Sequence, residues 1–509
     1  MPQSTRKIGF DNDKYLREQT AAILERVKRF DNKLYLEFGG KLMWDYHAVR
    51  VLPGYDPNVK MRLLQALKAQ ADVILCIYAG DIERKKIRAD FGHTYDSDAL
   101  KQIDDLRDWG IDVTAVVITR FDGQPAAVMF KNKLERRGVR VYTHRFTRGY
   151  PTDVDVIVSD EGYGANPHIE TTKPLVVVTG PGPGSGKLAT CLSQLYHDHR
   201  KGLRSGYAKF ETFPIWSIPL KHEVNVAYEA ATADLRDFNL IDPFHLEATG
   251  QTAINYNRDV EVFPVLRRIL ERIMGPEKAY VSPTDMGCNR AGFGIVDDGV
   301  VREASRQEVI RRFLRHACEH AVGLVDRETV QRAELIMKEL GVKPELRPVV
   351  GPARWAAAEA EAAGNGKGHA GIYCGAAIEL ADGRIVTGKN SPLMHAASAA
   401  VLNAVKVLGE IPDKFHLLSP SIIESIGGLK KVLNSRTVSL SLDETLIALS
   451  ISATSNPAAG AAMEKLPELS GCEMHMTHLP APGDDAGLRR LGVNLTSEPN
   501  FSSKCLFMA

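Results

Sequence analysis

Seven short runs rich in β-branched and other apolar residues mark the first 210 residues of the chain. They are Leu34–Phe38, Val73–Ile77, Val113–Thr119, Val139–Tyr142, Val154–Ser159, Leu175–Thr179 and Gly206–Phe210. Helical spacing predicts helices near Asp13–Arg29, Val59–Ala69, Ser97–Trp109, Pro125–Arg137 and Lys187–His199. A strand that is apolar throughout, instead of alternating, is buried on both faces, as in a parallel sheet covered by helices. The expected fold is therefore α/β, with a doubly wound, mainly parallel, Rossmann-like sheet.

With 509 residues the chain is long enough for two to four domains. The pattern suggests an α/β domain over 1–215 and a mixed, mainly helical region over 216–355. Helices are expected there near Val224–Leu235, Val262–Met274, Ser305–Val322 and Arg327–Leu340, between irregular stretches such as Ile241–Leu246 and Ser282–Gly294. The Ala- and Gly-rich tract 356–371 reads as a linker. A smaller α/β domain over 372–509 then opens with a hairpin turning at Asp382-Gly383. In it, Ser391-Pro392 reads as the N-cap and first residue of a helix running to Val407. Strands Glu473–Leu479 and Val493–Ser497 flank a short helix near Asp484–Leu491.

Lys and Arg number 64 against 63 Asp and Glu, leaving +1, so no global field draws the chain to nucleic acid or anionic lipid. No apolar run reaches the ~18 residues of a membrane span. Met1–Lys7 leads into polar residues and not into the apolar core of a secretory signal. The seven cysteines, Cys505 among them, contain no CxxC pair, which fits a reduced, cytoplasmic protein.

The segment from Leu175 to Thr190 carries the most chemistry. It is a buried strand, the loop Gly180-Pro181-Gly182-Pro183-Gly184-Ser185-Gly186, and a helix that begins at Lys187. Such a loop turns backbone N–H groups and the positive end of a helix dipole toward an anion, and Lys187 adds a point charge. Against the phosphate loop G-x-x-x-x-G-K-[ST], Pro181 replaces the first glycine and Leu188 replaces the hydroxyl residue that holds Mg²⁺. Gly182, Gly184, Ser185, Gly186 and Lys187 are the candidate anion-binding residues, with Thr190 as a substitute hydroxyl. Asp160 and Glu161, after the run 154–159, are candidates for a Mg²⁺ ligand or general base. Lys209 and Glu211, after the strand 206–210, are candidates to face the substrate. Gly39-Gly40-Lys41, Gly80-Asp81 and Thr119-Arg120 end other strands and would line the same crevice. The bland alternative is a tight strand-to-helix turn that binds nothing.

Other constellations carry less. His316-Ala317-Cys318-Glu319-His320 matches the inverted zinc-peptidase pattern H-x-x-E-H, but it borders a buried helix face and has no third ligand. Cys472, His475 and His478 do not share one face if their segment is a strand, so a common metal site is awkward. The hairpin and helix of 372–407 are similar to the start of cytidine-deaminase-like folds, with His395 near the helix start. Ala397 nevertheless stands where the catalytic glutamate would be, and the cysteine ligands are missing.

Long, particular segments also resemble a bacterial family of uncharacterised proteins of nearly this length. They are Lys33–Asn58, Gly149–Gly164, Val178–Tyr196, Ala208–Pro214, Ala227–Leu235, Ile241–Glu247 and Ser282–Gly287. Some members carry the label ATP-dependent peptidase, but the family transfers no catalytic residue to this sequence. The resemblance implies a cytoplasmic bacterial protein. The residues themselves favour an enzyme that binds a phosphate-containing ligand, a nucleotide with Mg²⁺ among them, with group transfer as the preferred reaction class. The expected partner is a small phosphorylated molecule, not nucleic acid or membrane, and the chain is open to homo-oligomer formation. The rival readings are a non-catalytic metabolite sensor and a zinc peptidase.

Overall fold

A computed structural model describes residues 7–31, 33–87, 92–276, 280–364, 368, 370–433, 435 and 438–504. Met1–Arg6, Cys505 and residues 365–367 and 369 of the Ala/Gly tract therefore lie outside the described residues. The chain forms two compact units, one of Lys7–Thr232 with Asp237–Ser305 and the other of Ala233–Arg236 with the residues from Arg306 onward.

The first unit begins with α1 (Asn12–Lys28), β1 (Leu34–Phe38), α2 (Tyr46–Val51), α3 (Val59–Leu67), β2 (Ala71–Tyr78), α4 (Ala79–Glu83) and α5 (Tyr95–Asp108). It continues with β3 (Val113–Thr119), α6 (Pro125–Glu135), β4 (Val141–His144), α7 (Val154–Ile157), β5 (Leu175–Thr179), α8 (Lys187–Arg200) and β6 (Gly206–Phe210). After these come α9 (Glu223–Ala231), β7 (Asn239–Ile241), α10 (Pro243–Thr249), β8 (Ile254–Tyr256), α11 (Asn257–Met274), α12 (Pro283–Met286) and the start of α13 (Asp298–Ala321). The six long strands make one sheet in the order β4-β3-β2-β5-β1-β6, and every neighbouring pair is parallel.

Helices cover both faces, as the unbroken apolar strands require. On one face Cys76, Val117, Val176 and Val178 pack against Cys191 and Leu195 of α8 and Phe263 and Leu266 of α11. On the other, Leu75, Ile77, Val116 and Ile118 meet Ile82, Ile103 and Phe130 of α4, α5 and α6. From β2 the chain moves outward to β3 and β4, whereas β5 inserts between β2 and β1 and leads on to β6. The order reverses between β2 and β5, the place where open α/β sheets bind ligands beyond their carboxyl ends.

The segment 154–159, expected as a strand, contains the one-turn helix α7 instead. The Asp153 side chain accepts the Val156 amide at 3.1 Å, and Ile157 N donates to Asp153 O at 2.9 Å. Local capping thus overrides the β-branched composition. The stretch read as irregular near Ile241–Leu246 takes in the last residue of β7, which pairs antiparallel with β8, and the first turn of α10.

The second unit contains α14 (Arg327–Leu340), α15 (Val350–Ala363), β9 (Gly375–Glu379), β10 (Ile385–Lys389), α16 (Ala396–Leu408), α17 (Pro420–Val432) and α18 (Leu442–Ala453). It ends with α19 (Pro457–Glu464), β11 (Glu473–Met476), α20 (Pro482–Arg490) and β12 (Asn494–Ser497). Its sheet, β10-β9-β11-β12, is antiparallel except for the β11–β12 pair. The tract expected as a linker is helical as far as Ala363, because its alanines are good helix formers and Ala353, Ala356 and Ala360 are buried. Ser391-Pro392 does not start α16. Ser391 Oγ accepts the Leu393 and Met394 amides in a turn, and His395 is the N-cap residue.

Candidate functional site

The Gly-rich loop stands at the sheet's reversal point. All five residues of β5 are buried, α8 starts at Lys187, and Gly184 and Gly186 between them have φ of +75° and +91°. These left-handed turns swing the chain from strand to helix at little cost only because neither residue has a Cβ. Neighbouring strand ends hold the loop by its carbonyls. Thr119 Oγ1 at the end of β3 donates to Ser185 O at 2.8 Å, and the Arg120 guanidinium donates to Gly184 O. The same guanidinium stacks 3.4 Å over the ring of Tyr78, at the end of β2.

The loop's amides are in a different position. Among the described residues, no acceptor lies on the N–H groups of Gly182, Gly184, Gly186, Lys187, Leu188 or Ala189; Ser185 N–H faces Gly182 O across the turn at 183–184, and the first of the helix to be satisfied is Thr190, bonded to Gly186 O. Pro181 and Pro183 have no N–H to offer. Lys187 Nζ rests at 3.4 Å from Gly182 O and 3.5 Å from Ser185 Oγ, contacts long enough to be given up readily. Gly184 is exposed at the tip. A row of open amides, a helix N-terminus and an ammonium are the parts of an anion cradle.

Thr190 takes no part in it. Its side chain is fully buried and its hydroxyl oxygen accepts from Cys76 Sγ at 3.4 Å. Asp160 and Glu161 lie elsewhere too. Asp160 accepts from Tyr196 Oη at 2.8 Å and pairs with Arg200 at 3.1 Å, near the far end of α8. Nine residues of helix, roughly 13 Å, separate Tyr196 from Lys187. Glu161 pairs with Arg148 at the surface. The loss of the expected strand over 154–159 removes both carboxylates from the sheet's edge.

Lys209 and Glu211 do reach that edge, and they bring carboxylates that sequence reasoning missed. In register across β1 and its neighbours, Glu37 stands beside Val178 of β5 and Lys209 of β6, all on the α8 side of the sheet. Lys209 Nζ pairs with Asp259 of α11 at 2.5 Å and with Glu211 at 3.3 Å, while Tyr207 Oη donates to Glu37 at 2.7 Å. Burial alone would push the Lys209 ammonium down, but Asp259, Glu211 and Glu37 together raise it, so it stays charged. Burial raises the Glu211 carboxyl, Lys209 pulls it back, and the fields of Asp259 and Glu37 add to the rise. Burial beside two further carboxylates thus keeps Glu211 inclined to hold a proton, the condition of a general acid or base. Glu37 lies opposite Val178, two residues before the loop's Gly180, which sets the cluster beside the root of the loop. A small polar pocket beside the cluster is lined by Asn255, Thr284 and Asn289. The signal for Glu37 was a lone charge in an otherwise apolar strand; Asp259 gave none.

The other motifs are tied into the second unit. His316 lies 3.3 Å from Glu319, which also takes Arg315 at 2.7 Å, and His320 contacts Val325 O at 3.1 Å. His475 is buried against Thr496 and Glu498, His478 contacts Thr477, and His395 pairs with Asp484 at 2.8 Å. Among the described residues no group of three or more His, Cys, Asp or Glu is placed to hold a metal ion.

Comparison with known proteins covers both units. Two family models match, the N-terminal domain of unknown function DUF1846 over residues 8–341 and its C-terminal counterpart over 345–507. The chain belongs to this uncharacterised bacterial family. It is 58% identical over 502 residues to the UPF0371 proteins of Clostridium botulinum strains Langeland and Okra, covering 98% of this chain and 99% of theirs. The UPF0371 protein of strain Alaska E43 is 57% identical over the same length. The family resemblance noted in the sequence is thereby established. No helix among the described residues is long and apolar enough to cross a membrane.

Proposed function

We propose that this chain is a cytoplasmic enzyme that binds a phosphorylated metabolite or nucleotide over the carboxyl edge of its six-stranded sheet, with group transfer as the reaction class. The observation that carries this reading is the set of open amides at Gly182, Gly184 and Gly186–Ala189, beside Lys187, at the point where the strand order reverses. The amides of Gly182, Gly184 and Gly186, with that of Ser185 released from its turn, donate to phosphate oxygens, and Lys187 neutralises their charge. Catalysis, as opposed to sensing, is supported by the convergence of Glu37, Lys209, Glu211 and Asp259 on the same edge. There Lys209 orients an oxygen of the substrate and Glu211 transfers a proton. The free state of all six described cysteines supports a reducing compartment.

Titration calorimetry of the full chain with inorganic pyrophosphate tests the cradle. A charge-assisted contact is worth ~1.5–3 kcal/mol, so Lys187→Ala should weaken pyrophosphate binding tenfold or more. Absence of binding, or affinity unchanged by the substitution, refutes the reading.

A further inference from the structure

At the root of the Gly-rich loop the crevice opens into a second compartment. The turn after β1 and the helix α5 enclose, beside Gly180, a cavity of about 110 Å³. One water molecule needs ~10–15 Å³ of such space, so the cavity has room for a ring and not merely for an ion.

Two features of its wall point to a ligand. The first is an aromatic pair. The rings of Trp44 and Tyr46 stack with centroids 6.2 Å apart and planes 25° apart, yet each residue is 40% exposed. Trp44 also has a φ of +56°, a left-handed conformation that a bulky residue adopts only when its surroundings enforce it. Here the enforcement is visible. Lys60, only 1% exposed, donates to Lys41 O at 3.0 Å and pairs with Asp45 at 3.1 Å, while Asn58 Oδ1 accepts the Trp44 amide at 3.3 Å. A buried ion pair therefore holds two exposed rings in a strained turn at the mouth of a cavity.

The second feature is an unmet acceptor. Gln102 of α5 is 6% exposed and lines the cavity. Its Nε2 donates to Asp98 Oδ2 at 2.8 Å, which fixes which end of the amide is the oxygen. That oxygen, Oε1, has no hydrogen-bond partner and almost no accessible surface, so a ligand meets it only as the side chain turns toward the cavity. Buried acceptors are rarely left so, and each one asks for an absent donor.

We infer that this cavity holds the base of a nucleotide, stacked on Trp44 and Tyr46 and donating a ring or exocyclic N–H to Gln102 Oε1. The phosphates then extend past Gly180 to the amides from Gly182 onward. This inference rests on the phosphate reading above and narrows its substrate to the nucleotide class. Exposed aromatic rings beside a buried amide acceptor suit a heteroaromatic ring, whereas a sugar phosphate would leave the stacked pair unused.

The test compares, by calorimetry on the full chain, ADP, GDP, CDP and UDP with ribose 5-phosphate and inorganic pyrophosphate. At least one nucleotide should bind tenfold or more tightly than either reference compound. Base stacking is worth roughly 5- to 150-fold in affinity, so Trp44→Ala should remove at least fivefold of that advantage. Gln102→Leu should do likewise, and neither substitution should alter pyrophosphate affinity. Trp44 is a surface residue, so its variant keeps the test valid if Gln102→Leu fails to fold. If pyrophosphate binds but no nucleotide improves on it, or if the advantage survives Trp44→Ala, the base-pocket inference is overturned while the loop reading stands. If neither nucleotides nor pyrophosphate bind, the loop reading falls and the base pocket with it.

Discussion

At the scale of single residues, two glycines of one loop have different burdens. Gly184 has a positive φ, but a Cβ there would meet nothing within 4 Å; one on Gly186 would lie 2.7 Å from Thr119 Oγ1 and Cγ2. Gly184→Ala should therefore cost only the left-handed backbone penalty, about 1–2 kcal/mol. Gly186→Ala should cost about 1–3 kcal/mol more, because it also displaces the hydroxyl that holds Ser185. Urea midpoints decide the point, and equal losses would contradict the packing described. Glu211 offers a second contrast. Its folded pKa is raised, so folding retains a proton that the unfolded chain has lost, and stability falls as pH rises above the ordinary carboxyl range. Glu211→Gln should leave stability at pH 7.5 unchanged or higher, whereas Asp259→Asn should lower it by about 2–4 kcal/mol by depriving Lys209 of its nearest partner. Thermal unfolding of both variants separates the roles; a clear loss in Glu211→Gln would show the carboxylate to be stabilising.

Among elements, the turn between β1 and α2 depends on one buried pair. Removing one member of such a pair strands the other charge, at about 3–5 kcal/mol. Lys60→Met should accordingly destabilise the protein by that amount and free the strained turn at Trp44. Adding Asp45→Asn should recover part of the loss, since Asn leaves no unpaired charge and can still accept the Ala48 amide that Asp45 now holds at 3.3 Å. Denaturant unfolding of the single and double variants measures this; a double variant weaker than the single one would place the stabilisation elsewhere. Legibility at this scale followed the reach of the signal. The strands Leu34–Phe38, Val113–Thr119, Leu175–Thr179 and Gly206–Phe210 and the start of α8 at Lys187 were readable because burial and glycine sit within the segment itself. Segment 154–159 has the same composition but is captured by the Asp153 cap, and Ser391 spends its hydroxyl on a turn before α16 begins.

For the whole molecule, acid should act on the two units in different ranges. Burial pushes the His144 imidazole down to about 4, so in the first unit it folds neutral. The unfolded chain gains that proton near pH 6.5, and stability falls between pH 6.5 and 4, by about 3 kcal/mol in all. In the second unit burial would raise Glu473, but Arg311 and Arg347 hold it down to about 2. Its contribution is present above pH 4.5 and is lost as pH falls toward 2. Calorimetry from pH 7 to 3 should show the first loss before the second, and His144→Gln should flatten the curve between pH 6.5 and 4. An unchanged slope in that variant would mean that His144 is not the titrating group.

What the sequence determined by itself was local: a buried strand, a glycine turn and a helix carrying Lys187 at its start, repeated units of strand and helix, and hence a covered parallel sheet. Those features depend on sterics and periodicity within a few residues of each other. The tertiary structure alone decided that β5 enters between β2 and β1, which puts the loop at the reversal of strand order. It also decided that Glu37 and Asp259 close around Lys209, that Asp160 lies at the far end of α8 and Glu161 at the surface beside Arg148, and that Gln102 lines a cavity and leaves its oxygen unmet. Such meetings join residues far apart in the chain, and they follow from which apolar faces pack together, a choice that no single segment contains.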